Sequence, residues 1–175
     1  LHLAKPASIT FGEREGGADS ARVKAFATLC ERAGIDHLAS SDIRQELWIK
    51  YSFLTALAAG TCLMRSSVGH IAANEGGKEF MTRLHAECMA VAAAAGQPIP
   101  LEKQEFALGT LTQHASSVKA SMLRDLEAGQ RVEAAHIVGD MLHRAQAAGI
   151  TAPLLGAAWC HLQAYESGLP EPPIK

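Results

Sequence analysis

The chain has 175 residues, 48% of them hydrophobic and 19% charged, and a formal net charge of -2. That length can bury one real core, and that composition excludes a disordered segment. Acidic and basic residues are interspersed, which excludes both the basic stripe of a nucleic-acid binder and the polybasic cluster of a protein held on an anionic membrane.

The opening Leu1-His2-Leu3-Ala4-Lys5-Pro6 has no initiator Met and no signal-peptide pattern, and reads as a chain entered midway. Ser8-Ile9-Thr10-Phe11-Gly12 alternates like a strand, and Glu15-Gly16-Gly17 is a turn signal. Asp19 or Ser20 caps a predicted helix that runs to about Ala33 and is ended by Gly34. Ile35 to Ala39 reads as a second short strand. Strand, helix, strand is one α/β unit, and one such unit cannot bury both faces of its sheet. Residues 1–40 therefore read as the last piece of a larger domain.

From residue 41 to residue 175 the pattern is helical. Ser41 caps a run from Asp42 to about Ala59, ended by Gly60, and a short helix follows Ser66 or Ser67. Lys78 to Ala95 is long and stopped by Gly96 and Pro98. Leu101 to about His114, Lys119 to Ala128, Val132 to Ala148 and Pro153 to about Glu166 follow, and Gly168, Pro170, Pro172 and Pro173 close the chain as a frayed tail. The expectation is an all-α bundle of about seven helices with short connections, preceded by a short α/β remnant. Abundant alanine and only 5% aromatics suit closely packed helices. No apolar run reaches the ~20 residues of a membrane span. Cys30, Cys62, Cys88 and Cys160 are far apart and form no CxxC pair, so they read as buried thiols of a reducing, cytoplasmic compartment.

In the helix from Asp42, Ile43, Leu47, Leu54 and Leu57 recur at helical spacing as one buried face, and the position that interrupts them is Lys50. A lysine there either snorkels at the edge of the stripe or faces a cleft that receives an anionic or carbonyl substrate. Glu133 falls in the first turn of the helix after the Gly129 turn, where a carboxylate suits the helix dipole. Arg124 and Asp125 read as surface or capping residues. His136 and His143 share a helical face, but no third ligand accompanies them and no HExxH occurs, so no metal site is expected. No GxSxG, GxGxxG or GxxxxGK[ST] is present, which leaves no nucleophile elbow and no phosphate cradle.

The segment Asp42-Ile43-Arg44-Gln45-Glu46-Leu47-Trp48-Ile49-Lys50-Tyr51 resembles the "D-I-x-x-x-L-W-x-K" opening of the ketopantoate reductase C-terminal domain. Ser121-Met122-Leu123-Arg124-Asp125-Leu126-Glu127-Ala128-Gly129, then Glu133 and Gly139, resembles that family's "S-M-x-x-D-x-x-x-G-x-x-x-E-x-x-x-x-x-G", and Ala147 to Pro153 looks like its "A-x-x-x-G-V-x-x-P". Ile9 to Glu13 and Ala33-Gly34-Ile35 look like the end of its nucleotide domain.

The resemblance implies a two-domain NADPH-dependent reductase that converts 2-dehydropantoate to pantoate on the way to coenzyme A. Residues 1–40 would be the remnant of a Rossmann-type NADP-binding domain, and residues 41–175 a helical substrate domain similar to that of 6-phosphogluconate dehydrogenases. Lys50 falls on the catalytic lysine, Glu133 on the active-site glutamate near the nicotinamide, and Ser121 on the serine that bonds substrate. The implied partners are a small 2-keto acid, the chain's own nucleotide domain and a second copy in a homodimer, with no nucleic acid and no membrane. Leu54 and Ala58 stand where the best-known members carry asparagines, and Ala135 where they carry an aspartate, which widens the expected substrates to other 2-keto acids. This chain alone is expected to be inactive. A non-catalytic binding or dimerisation domain, and a related hydroxyacid or opine dehydrogenase, stay open as alternatives.

Overall fold

In the computed structural model, residues 8–15 and 17–170 are described. The chain start at Leu1 to Pro6, Gly16 of the glycine turn, and Pro172 and Pro173 of the tail lie outside the described residues. Contacts divide the chain into two compact units, Leu1–Ile49 and Lys50–Lys175.

In the first unit, β1 (Ser8–Phe11) and β2 (Asp36–Ala39) pair in parallel, with Ser8 opposite Asp36 and Phe11 opposite Ala39. A parallel pair needs a crossover, and α1 (Ala21–Arg32) supplies it after a 3-10 turn at Gly17–Asp19. Ser20 is the cap, its Oγ accepting from the Val23 N–H at 3.1 Å. Gly12 follows β1 where a Cβ would stand 2.5 Å from the Ser40 carbonyl oxygen, so only glycine lets β1 and the end of β2 close together. This unit leaves Phe26 and Leu29 of α1, Ile9 of β1 and Leu38 of β2 exposed.

Helix α2 (Ile43–Met64) crosses the division between the units. Its start is capped by Asp42, whose Oδ1 accepts from the Gln45 N–H at 3.0 Å, while Ser40 Oγ accepts from the Asp42 N–H. The cap is thus one residue later than expected. The expected stop at Gly60 does not occur either. A Cβ on Gly60 would meet the Met81 sulfur at 2.5 Å, so the glycine lets helices touch in mid-helix and does not end one. At 22 residues α2 is long and apolar enough to cross a membrane by length and composition, contrary to the sequence expectation, but half of its most apolar window is buried inside the protein. That burial is what a core helix shows.

The second unit continues with α3 (Val68–Ala73), α4 (Gly77–Ala94), α5 (Leu101–Leu111), α6 (Ser121–Glu127), α7 (Asp140–Ala147) and α8 (Pro153–Ser167). Helix α4 is the hub: it packs on α3, α5, α7 and α8 and buries Met81, Leu84, His85, Cys88 and Val91. Each such apolar side chain contributes ~1.5–3 kcal/mol over its exposed state. Helix α8 starts at Pro153, as expected for a residue without an N–H, and its first free N–H groups are met from a distance. Leu154 and Leu155 donate to the Glu87 carboxylate of α4 at 3.0 and 2.9 Å. The region expected as one helix from Val132 to Ala148 is instead a π turn, Ala135–Gly139, leading into α7. Gly139 lies flat against the Trp159 ring, where a Cβ would come within 3.1 Å.

The chain is therefore helical from α2 onward, with a two-stranded parallel α/β piece ahead of it, as the sequence pattern indicates. The four cysteines are free; Cys30, Cys62 and Cys88 are buried, while Cys160 is exposed where a buried thiol was expected.

Candidate active site

Lys50 lies on α2 and is exposed. The stripe in which it sits is not the buried face that the spacing suggested: Leu54 is 39% exposed and Leu47 58%, and only Leu57 is buried. The buried residues of α2 are those from Ser52 and Thr55 through Cys62, so the core lies on a different side and mostly along the second half. Lys50 and Leu54 thus share an open face, a cation with an apolar neighbour one turn on.

The residue after Lys50 carries the main polar contacts of this stretch. The Tyr51 hydroxyl donates to Asp140 Oδ2 at 2.7 Å, with the Ile137 carbonyl as a longer acceptor at 3.1 Å. Asp140 also accepts from Arg144 Nε at 2.7 Å, one turn along α7. Burial raises the Tyr51 pKa well above the ordinary tyrosine value, and the bond to Asp140 and its charge push the same way. For Asp140, burial works upward, but the bonds from Arg144 and Tyr51 outweigh it and hold the carboxyl below its usual range. The pair Asp140–Arg144 is ionised and Tyr51 is a neutral donor.

Glu133 stands at the mouth of the segment that Tyr51 touches. It precedes the first helical turn rather than lying within it, with its carbonyl accepting from the Ile137 N–H at 3.2 Å, and its side chain is exposed. Beyond it the backbone winds as a π turn, with the Asp140 N–H reaching back to the Ala135 carbonyl. Single π turns of this kind gather at functional sites. Tyr51 therefore ties the stretch bearing Lys50 to the turn that opens at Glu133. Ser121 is the exposed first residue of α6, and no described contact joins it to either. Among the described residues no hydrogen bond or ion pair links Lys50, Glu133 and Ser121 directly.

Leu54 and Ala135 are exposed and offer no polar atom, while Ala58 is buried and faces no solvent. His136 and His143 are exposed, and the His143 ring packs edge-on to Trp159 with centroids 6.3 Å apart. Among the described residues no three His, Cys, Asp or Glu side chains gather into a metal site.

The turn after β1 does not fit a dinucleotide phosphate. At the start of α1 the Glu13 carboxylate accepts from Ser20 Oγ at 2.7 Å and from the Arg22 guanidinium. Arg22, then Ser20, hold Glu13 below the usual carboxylate range, so a negative charge already occupies that helix mouth. Gly12, the close-approach glycine of this turn, is taken by the Ser40 carbonyl.

Residues 42–166 match the family described as ketopantoate reductase PanE/ApbA C terminal. The chain belongs to the ketopantoate reductase family. The matched stretch contains Lys50, Ser121 and Glu133 and ends near the close of α8. The uncharacterized oxidoreductase YkpB of Bacillus subtilis (strain 168) is 30% identical over 166 residues, which are 95% of this chain and 54% of that protein. The crystal structure of 2-dehydropantoate 2-reductase from Methylococcus capsulatus superposes with a TM-score of 0.78 at 28% identity, over 94% of this chain and 52% of that one. D-mandelate dehydrogenase, solved in a ternary structure with NADH and anilino(oxo)acetate, shares the fold at a TM-score of 0.76 and 15% identity, over 93% and 53% of the two chains. The chain thus spans about half the length of the relatives it matches.

Tyr51, Asp140 and Arg144 escaped the sequence reading. The i,i+4 spacing of Asp140 and Arg144 on a helix was the available signal for their pairing, but nothing local to it pointed to Tyr51, 89 residues away.

Proposed function

We propose that this chain is the helical, substrate-binding part of an NADP-dependent reductase. Residues 1–40 are the end of its Rossmann-type nucleotide domain, and residues 41–175 the domain that carries the reacting groups. The intact protein reduces 2-dehydropantoate, or a related 2-keto acid, to the 2-hydroxy acid, in the cytoplasm and toward coenzyme A. The family match across residues 42–166 carries this reading. The four free cysteines support the reducing compartment.

In this reading the nucleotide supplies the hydride when bound, and another part of the intact protein holds its phosphates, because the Glu13 turn offers them no cradle. Lys50 donates a hydrogen bond from Nζ to the ketone oxygen and passes a proton to it as the alkoxide forms. The exposed ammonium on the open face of α2 is accessible to such a substrate. Glu133 supplies a carboxylate that borders the nicotinamide side. Ser121 donates to the substrate's polar end. Leu54, one turn from Lys50, gives that face apolar contact area, which favours a 2-keto acid with an aliphatic or aromatic substituent.

The test is NADPH oxidation by the intact protein against a panel of 2-keto acids, with Lys50→Ala alongside. Loss of a general acid and its charge should lower kcat by roughly 10²–10⁴-fold. Since Lys50 is exposed, the melting temperature should not move. Wild-type turnover that survives the substitution removes the reading; absence of nucleotide binding by the intact protein points to a non-catalytic domain.

A further inference from the structure

We infer that Tyr51 is a positioning residue: its hydroxyl, anchored on Asp140 and the Ile137 carbonyl, fixes the Lys50 stretch of α2 against the π turn that opens at Glu133. The inference rests on the reading of Lys50 and Glu133 as the reacting pair.

The geometry leads there in three steps. Lys50 and Glu133 are both exposed, and among the described residues no hydrogen bond or ion pair joins their side chains to each other, so their side chains do not set their separation. Their backbones are nevertheless held. Tyr51, the residue after Lys50, reaches Asp140 at 2.7 Å and the Ile137 carbonyl at 3.1 Å, and Ile137 is itself bonded through its N–H to the Glu133 carbonyl. The anchor is charged and braced: Arg144 Nε holds the same Asp140 oxygen at 2.7 Å. Bonds between a neutral donor and a carboxylate are among the stronger ones, and they carry directional information as well as energy.

The π turn gives the clamp its point of purchase. The widened turn at Ala135–Gly139 and the extra acceptor at Ile137 lie between Glu133 and Asp140. A π turn is a sparsely used winding, kept in place by surrounding contacts, and Tyr51 is such a contact. Without the hydroxyl, this stretch can relax, and Glu133 moves relative to Lys50. A shift of about 1 Å in a reacting group can cost on the order of a hundredfold in rate. The surrounding core is not expected to notice, because Tyr51 keeps its ring in Phe.

The experiment uses the intact protein and its best 2-keto acid from the panel, with Tyr51→Phe and Asp140→Asn as variants. Tyr51→Phe should lower kcat by about tenfold or more while KM stays within about twofold, because the substrate still binds and the acid is misplaced. Asp140→Asn should fall between wild type and Tyr51→Phe, since the amide oxygen can still accept the hydroxyl. A merely structural role would show as a lower melting temperature with kcat of the folded fraction unchanged, and would overturn the inference. So would a Tyr51→Phe kcat equal to wild type. If Tyr51→Phe fails to fold, Asp140→Asn decides by the same criterion. A wild-type protein that oxidises no NADPH with any acid sinks the underlying reading and this inference with it, whereas turnover indifferent to Tyr51 sinks only the inference.

Discussion

The two units of this chain solve the burial problem unequally. In the second, α4 is enclosed by four helices, and Met81, Leu84, Leu123, Leu155 and Leu162 are fully buried. In the first, two strands and one helix bury Val23 and Cys30 but leave Leu29 57% exposed and Leu38 51% exposed. The difference follows from topology. Helices can close a core among themselves, whereas a single β-α-β unit covers one face of its sheet and leaves the other for a further layer.

The sharpest way to break that comparison is to cut one leucine from each unit. Leu84→Ala empties a site of 0% exposure and should cost about 2–5 kcal/mol in denaturant unfolding of this chain. Leu29→Ala removes an exposed side chain and should change stability by about 0.5 kcal/mol at most. In an intact protein that lays a further layer over α1, Leu29→Ala should become clearly destabilising. Equal costs in the free chain would contradict the contrast.

A smaller effect separates the units by pH. His85 is 2% exposed on α4, its Nε2 has no partner among the described residues, and burial holds its pKa below the ordinary 6.5. The unfolded chain then takes up the proton first, so stability is full above pH 6.5 and falls as the pH drops through and below that value. In the first unit the corresponding group is Glu13, lowered from 4.5 by Arg22 and Ser20, so its contribution is lost only in more acid solution. Melting temperature followed from pH 8 toward pH 5 should fall for the wild type and flatten in His85→Gln. A flat wild-type profile would mean that water or a neighbour satisfies His85 when charged.

Much of this was legible in the sequence where the cause is local. Ser20, Ser67 and Pro153 mark helix starts because capping and the missing proline N–H act within one turn. Where the cause is tertiary, the pattern misled. Gly60 reads as a stop, yet it is a contact with Met81. The Ala135–Gly139 segment has the composition of an α-helix, and its π winding accompanies bonds from Tyr51 that no local window contains. The Lys50 stripe reads as buried because spacing reveals a face but not which face the core takes. Lys50 stands out already as the cation that interrupts an apolar stripe, whereas Ser121 and Glu133 stand out only through motif resemblance, since each has an ordinary structural explanation. The clamp of Tyr51 on Asp140 was not reached at all.

The most direct measurement of the central claim, that Lys50 and Glu133 act as one site, is a double-mutant cycle in kcat/KM for the intact protein. Lys50→Ala, Glu133→Gln and the double variant are compared with wild type on the best 2-keto acid. Groups that act as a unit lose nearly everything with the first substitution, so the double variant should be about as slow as the slower single one. Losses that simply multiply, or a Glu133→Gln protein as fast as wild type, would contradict it.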